Sequence, residues 1–268
     1  MSFWDAIIMG LVQGLSEFLP ISSTAHIMIA ARLLGLETPG LALEIWLHMA
    51  SVLAVMLYFR KDLLKVIGDF TRFLLHRQPE DKVGFWFGVY ILIATAITGG
   101  LGVLLSDSLG DNLRSPLVIG IALWVTAAFL VFIEKGVVYG QRTAEKMTWR
   151  DSVLVGLGQT VAVLPGISRS GATLVTALWC GLERETAVRY SFLLAIPVIL
   201  GSSVLGIRDA NMEWIQSMSY VGLILSFVVC FFASWVSIVW LIGFLRSGRL
   251  YWFAIYCFLL GGLSLFFL

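Results

Sequence analysis

Residues 10–27 read Gly-Leu-Val-Gln-Gly-Leu-Ser-Glu-Phe-Leu-Pro-Ile-Ser-Ser-Thr-Ala-His-Ile. Apolar sequence flanks this run on both sides. The run itself carries Gln13, Glu17, Ser22, Ser23, Thr24 and His26, with Pro20 at its centre. A carboxylate, an imidazole and three hydroxyls are costly in an apolar setting, so their presence there points to function. The setting is apolar throughout. Of 268 residues, 59% are hydrophobic and 13% charged, against about 45–50% and 25% in soluble domains. Mean hydropathy is +0.92. The apolar runs do not alternate as barrel strands would, so the expected fold is an all-α membrane protein.

A helical span needs about 20 apolar residues. Residues 41–59, 84–105, 115–134, 186–207, 219–245 and 249–268 meet that length and predict six transmembrane helices. Two other regions do not. Residues 3–36 break at Pro20, and residues 150–182 break at Pro165-Gly166. Each is two short apolar pieces around a polar turn, which reads as a re-entrant hairpin: irregular backbone at membrane depth is tolerated where protein surrounds it.

The two regions match each other. At an offset of 146 the ungapped pairs include Asp5/Asp151, Gly10/Gly156, Gln13/Gln159, Ser22/Ser168 and Gly35-Leu36-Glu37/Gly181-Leu182-Glu183. This predicts an internal repeat within one membrane domain over 1–268, with halves at about 1–135 and 147–268. If both hairpins are re-entrant, Arg32, Arg114 and Arg208 fall on one side of the membrane. Every other Lys and Arg falls on the opposite side, with Arg169 set apart as a site residue. Treating the hairpins as kinked spans gives a much less one-sided split. The positive-inside rule therefore favours re-entrant hairpins, with both termini on the extracytoplasmic side. Each half then has three spans, an odd number that inverts the second half: an inverted-topology repeat with the polar turns meeting near the midplane.

Net charge is +1 and gives no sign of a nucleic-acid partner. Cys180, Cys230 and Cys257 stand singly in apolar sequence, as buried small hydrophobes do. The N-terminus lacks a basic region ahead of its first apolar run, so no cleavable signal peptide is expected.

Gln13 and Glu17 are four apart and share a helix face. Ser22, Ser23 and Thr24 open the next helix. There they serve as N-caps, and the helix N-terminus is also an anion site. His26 lies three residues after Ser23, on the same face, which permits a serine–histidine pair or an acid for a leaving group. The second turn, Pro165-Gly166-Ile167-Ser168-Arg169-Ser170-Gly171-Ala172-Thr173, sets an arginine between serines and glycines. Glycines let backbone approach an anion, and Arg offers a two-pronged donor for phosphate. The same arginine could simply neutralise Glu17.

These motifs resemble those of the bacterial undecaprenyl-diphosphate phosphatases, the bacitracin-resistance family of membrane enzymes. The resemblance rests on Gln13 to Glu17, on Pro20-Ile21-Ser22-Ser23-Thr24-Ala25-His26 and on the complete run 165–173. It covers essentially the whole chain. It implies removal of the terminal phosphate of undecaprenyl diphosphate, recycling the lipid carrier for peptidoglycan synthesis and conferring bacitracin resistance. It implies a divalent cation, Mg²⁺ or Ca²⁺, and a site open to the outer face of the bacterial inner membrane. Carried over, the catalytic residues are Glu17, Ser23, His26 and Arg169. Phosphate is held by Ser22, Thr24, Ser168, Arg169, Ser170, Gly171 and Thr173, and the cation by Glu17 and Gln13. Position 13 is Gln where many members have Glu, and position 25 is Ala where Gly is usual. The first change leaves Glu17 to carry most of any metal binding. A groove between spans, lined by aromatics, is expected for the prenyl tail. A lipid flippase is the rival reading, since inverted repeats with broken helices are a transporter design. A homodimer is compatible with either.

Overall fold

A computed structural model describes residues 2–36, 41–108, 115–136, 140–207, 219–247 and 250–267. Glu37, Arg114, Arg208 and Arg249, used above, lie outside the described residues. The described chain is helical: α1 (Phe3–Phe18), α2 (Ser23–Leu33), α3 (Leu41–Tyr58), α4 (Arg60–His76), α5 (Lys82–Ser108), α6 (Pro116–Gly136), α7 (Trp149–Val161), α8 (Arg169–Trp179), α9 (Arg184–Gly206), α10 (Tyr220–Ser247) and α11 (Tyr251–Phe267). Among the described residues four stretches are long and apolar enough to cross a membrane: Pro79–Leu105, Pro116–Lys135, Arg184–Gly206 and Tyr220–Leu245. Their outward faces carry exposed Leu92, Leu104, Leu117, Val204, Ile224 and Phe232. Water would penalise that surface and lipid does not, so this is a multi-pass membrane protein.

The segment 60–83, which connects the expected spans 41–59 and 84–105, contains a helix. α4 leaves α3 at a bend of 78°. Leu64, Ile67, Leu74 and Leu75 are exposed on it beside its basic residues, the make-up of a helix lying in an interface. Arg72 fastens its end to Asp69 (2.6 Å) and Asp81 (2.9 Å), and Arg189 of α9 binds Asp62 at 2.8 Å.

Matched sequence positions do matched work. Asp5 and Asp151 each accept the N–H of the residue that starts their helix, Ser2 (2.6 Å) and Thr148 (2.7 Å). Ser22 and Ser168 cap α2 and α8. Gly10 and Gly14 press α1 onto α10. A Cβ at Gly10 would stand 2.6 Å from the Ser226 carbonyl oxygen, and one at Gly14 2.5 Å from that of Cys230. α7 in turn packs on α5, α3 packs on α9 and α10, and α6 packs on α11. The main core gathers Leu123, Leu130, Leu174, Leu178 and Tyr190 around the second broken helix pair.

Candidate active site

Two turns meet inside this bundle. Pro20 cannot donate a helical hydrogen bond, and α1 stops at Phe18 with Leu19 extended. Ser22 then adopts φ 69°, a conformation uncommon outside glycine. It caps α2 by accepting from the Ala25 N–H. In the second turn Gly166 has φ 100°, and a Cβ there would lie 2.6 Å from that of Ala122 on α6. Thr126 of α6 accepts from the Ser168 N–H at 3.2 Å, and its hydroxyl donates to the Gly166 carbonyl at 3.3 Å. The Ser170 hydroxyl donates to the Leu19 carbonyl at 3.0 Å and joins turn to turn.

Between them lies a buried ion pair. Glu17 is 5% exposed. Its Oε1 accepts from Arg169 Nη2 at 2.7 Å, and its Oε2 accepts from Gln13 Nε2 at 2.7 Å. His48 Nε2 lies 3.4 Å from the same Oε2, and Ser23 lines the same cavity as this carboxylate. Burying two charges costs several kcal/mol each unless their bonding is completed. Glu17 is well supplied. Arg169 is not, because its Nη1 is buried and has no hydrogen-bond partner. A buried guanidinium donor without an acceptor marks a place for an anion. A cavity of about 150 Å³ opens there, with Glu17, Ser22, Ser23, Thr24, His48, Ser168 and Arg169 on its polar wall. The first turns of α2 and α8 both border it, and helix N-termini favour negative charge.

The sequence-predicted residues divide on this cavity. Glu17, Ser22, Ser23, Thr24, Ser168 and Arg169 line it. Gln13 reaches it through Glu17. Ser170, Gly171 and Thr173 are not on its wall. Ser170 joins the turns, the Gly171 N–H donates to Ser168 Oγ at 3.1 Å, and the Thr173 hydroxyl turns back onto the Arg169 carbonyl at 3.1 Å. His26 is also off the wall. Its Nδ1 lies 2.7 Å from the Ser22 carbonyl, which only accepts, so Nδ1 carries a proton. In the neutral ring Nε2 then accepts from the Tyr256 hydroxyl at 2.7 Å, with the two rings stacked. Both ring nitrogens are engaged without Ser23.

His48 and Ser202 are the polar cavity residues that the motifs missed. His48 comes from the middle of α3 and Ser202 from the last turns of α9, both outside the two polar turns. His48 did carry a signal: it is an ionisable group within an apolar span, which is by itself a reason to suspect a site.

For a divalent cation the donor set is sparse. Among the described residues no three His, Cys, Asp or Glu side chains come together. Glu17 is the one carboxylate on the cavity wall. Mg²⁺ commonly binds through one or two carboxylates together with substrate phosphates. The residues therefore fit a cation that arrives with a phosphorylated ligand and do not form a cage that holds it alone. Glu17, with the Gln13 amide beside it, would hold such an ion, which would neutralise charge on the phosphates.

A polytopic membrane protein with an arginine–carboxylate anion site between two broken helix pairs is the class that fold and site define. Residues 6–263 match the family model described as bacitracin resistance protein BacA, and the chain belongs to that family. It is 55% identical to undecaprenyl-diphosphatase 2 of Halalkalibacterium halodurans, over 97% of this chain and 94% of that one. It is 49% identical to undecaprenyl-diphosphatase 1 of Shouchella clausii, over 97% and 94%. It is 40% identical to the undecaprenyl-diphosphatase of Oceanobacillus iheyensis, over 100% and 98%.

Proposed function

We infer that this protein hydrolyses undecaprenyl diphosphate to undecaprenyl phosphate and inorganic phosphate, recycling the lipid carrier of cell-wall synthesis and so conferring bacitracin resistance. The observation that carries the reading is the unpartnered Nη1 of Arg169 beside the hydroxyls of Ser22, Ser23, Thr24 and Ser168. Full-length relatives named undecaprenyl-diphosphatase support the substrate.

In the proposed reaction Arg169 and the N-termini of α2 and α8 hold the diphosphate. The transition state of phosphoryl transfer spreads charge over the phosphoryl oxygens, and fixed donors at those oxygens supply most of the rate. The Ser23 hydroxyl, on the cavity wall with Glu17, attacks the terminal phosphorus. Its proton passes to Glu17, the anhydride bond breaks, and polyprenyl phosphate leaves. Water then hydrolyses the phosphoserine and frees inorganic phosphate. His48 keeps Glu17 oriented. His26, in this reading, fixes the first turn through Ser22 and Tyr256.

We place this site in the bacterial inner membrane, open to the extracytoplasmic side, with six spans and two re-entrant hairpins in inverted repeats. The exchange of partners supports that arrangement: the first arm of each hairpin packs on a span of the other half, α1 on α10 and α7 on α5.

Phosphate release from the lipid diphosphate in detergent tests the function. Detergent leaves no two sides to transport between, so an enzyme turns over and a flippase does not. The expected result is turnover by the wild type and almost none by Arg169→Ala or Glu17→Gln. Normal turnover by both variants would falsify the assignment.

A further inference from the structure

A second cavity, of about 420 Å³, lies beside the first. It runs between α5 and α9 over the end of α7. Thr95, Thr98, Gly99, Gly102 and Val103 form one wall, and Pro197, Val198, Gly201, Ser202 and Leu205 the other. Ala162, Val198, Ser202 and Arg169 border both cavities. The two cavities adjoin, a polar chamber at the Glu17 end and a largely apolar groove beyond Arg169. A lipid diphosphate has the same division, a doubly phosphorylated head on a hydrocarbon chain.

The groove's glycines have no packing reason to be glycine. A Cβ built on Gly99 or Gly201 meets nothing within 4 Å, and one on Gly102 meets only Val163 Cγ2 at an ordinary 3.4 Å. None has a positive φ. Glycine inside a helix costs about 1 kcal/mol relative to alanine, and at Gly10 and Gly14 the close approach of α10 explains it. At Gly99, Gly102 and Gly201 no protein atom does. Their effect is to keep the groove wide beside the anion site.

We propose that the groove between α5 and α9 binds the first isoprene units of the substrate's tail, with Gly99, Gly102 and Gly201 forming its floor and the scissile anhydride held where the two cavities meet, at Arg169. The inference rests on the diphosphatase reading and adds to it the direction in which the substrate lies. The described wall of this groove is mostly apolar and glycine-rich, in place of the aromatic lining expected from the sequence. A flexible, methyl-branched polyene fits such a wall because bare helix backbone leaves room for its branches. In the topology proposed above the groove lies in the outer half of the membrane, so the remaining tail passes into the outer leaflet.

The test compares a long-chain substrate with a short one. Gly99→Leu and Gly201→Leu fill the groove, and Gly100→Leu, a neighbour on α5 that also has open space at its Cβ but does not line the groove, is the control. We expect kcat/KM for undecaprenyl diphosphate to fall about tenfold or more in both groove variants, the loss of roughly two methylene contacts. Hydrolysis of a ten-carbon (geranyl) diphosphate should stay within about twofold, and Gly100→Leu should match the wild type on both. Equal loss on both substrates, or no loss on either, overturns the groove. A wild type inactive on both substrates instead overturns the diphosphatase reading. A folding failure is bypassed with the unmutated protein. A benzophenone-bearing prenyl diphosphate should cross-link to peptides of α5 and α9, and cross-links confined to other helices overturn the proposal.

Discussion

Arg169 meets Glu17 through Nη2 alone, at 2.7 Å, across 152 residues of sequence. The other arm of the same guanidinium points to no acceptor. A lysine could keep the ion pair but would bring no second arm. Arg169→Lys is therefore expected to retain thermal stability close to wild type and to lose about 10²–10³ in kcat, the usual loss for one transition-state donor. Phosphate release and thermal unfolding in detergent, measured side by side, check both parts. Full activity in the lysine variant would remove the free arm from the mechanism.

His48 touches Glu17 through one ring nitrogen. If its task is to orient that carboxylate, any side chain that puts an N–H there will serve. His48→Gln should stay within about fivefold of wild type. His48→Ala, which leaves the carboxylate oxygen without that donor, should lose tenfold or more, about 1.4 kcal/mol. A glutamine variant as poor as the alanine one would show that the imidazole has its own part in the chemistry.

With one carboxylate on the cavity wall, the cation is expected to need the substrate. Calorimetry should show no Mg²⁺ binding to the protein alone below millimolar concentrations, and clear binding once a non-hydrolysable diphosphate is present. Gln13→Glu adds a second carboxylate four residues before the first. It should lower the Mg²⁺ concentration needed for half-maximal turnover severalfold. Tight Mg²⁺ binding by the unliganded wild type would contradict this.

Ser23 as nucleophile makes a covalent intermediate. Rapid quenching of wild type with terminally labelled diphosphate should trap label on the protein at Ser23, and Ser23→Ala should form none and lose turnover. Substantial turnover by the alanine variant would assign the attack to water.

A clasp holds the base of α7. Arg142 binds Asp151 at 2.9 and 2.7 Å and the Cys180 carbonyl at 2.7 Å, so it ties the start of α7 to the end of α8. Burial by itself would raise the Asp151 pKa. The Arg142 hydrogen bonds and those from the Thr148 N–H and hydroxyl outweigh it and hold the carboxyl below its ordinary range. A depressed carboxyl stabilises the fold fully above its unfolded pKa of about 4, and that stabilisation is lost as pH falls through the lower, folded value. Asp151→Asn should thus cost about 2 kcal/mol near neutrality. The gap from wild type should close below about pH 4, as read by unfolding in detergent across pH.

Much of this was legible in the chain because membranes simplify the code. Pro20 and Pro165-Gly166 had to interrupt their apolar runs, and Glu17 and Arg169 could not be buried at such depth without each other. The matched pairs Asp5/Asp151 and Ser22/Ser168 stand at corresponding helix starts in the structure. What stayed hidden depended on side-chain direction. His26 shares a helix face with Ser23 in sequence, yet its ring turns to Tyr256, 230 residues away. His48 and Ser202 enter the cavity from spans whose sequence carries no motif. Helix α4 was masked by its own charge, since Arg60, Lys61, Asp62, Lys65, Asp69 and Arg72 break up its apolar residues.

The bond from Ser170 to the Leu19 carbonyl also sets an order of events during synthesis. Glu17 is made early, and its arginine partner follows 152 residues later, roughly 10–30 s at ordinary elongation rates. α1 waits longer still for α10, the surface its glycines fit. Through that interval the carboxylate lacks its arginine, and the two backbone-contact glycines lack the helix they fit. The first broken helix pair is thus a guest in the growing chain, held provisionally until the second half arrives to seat it.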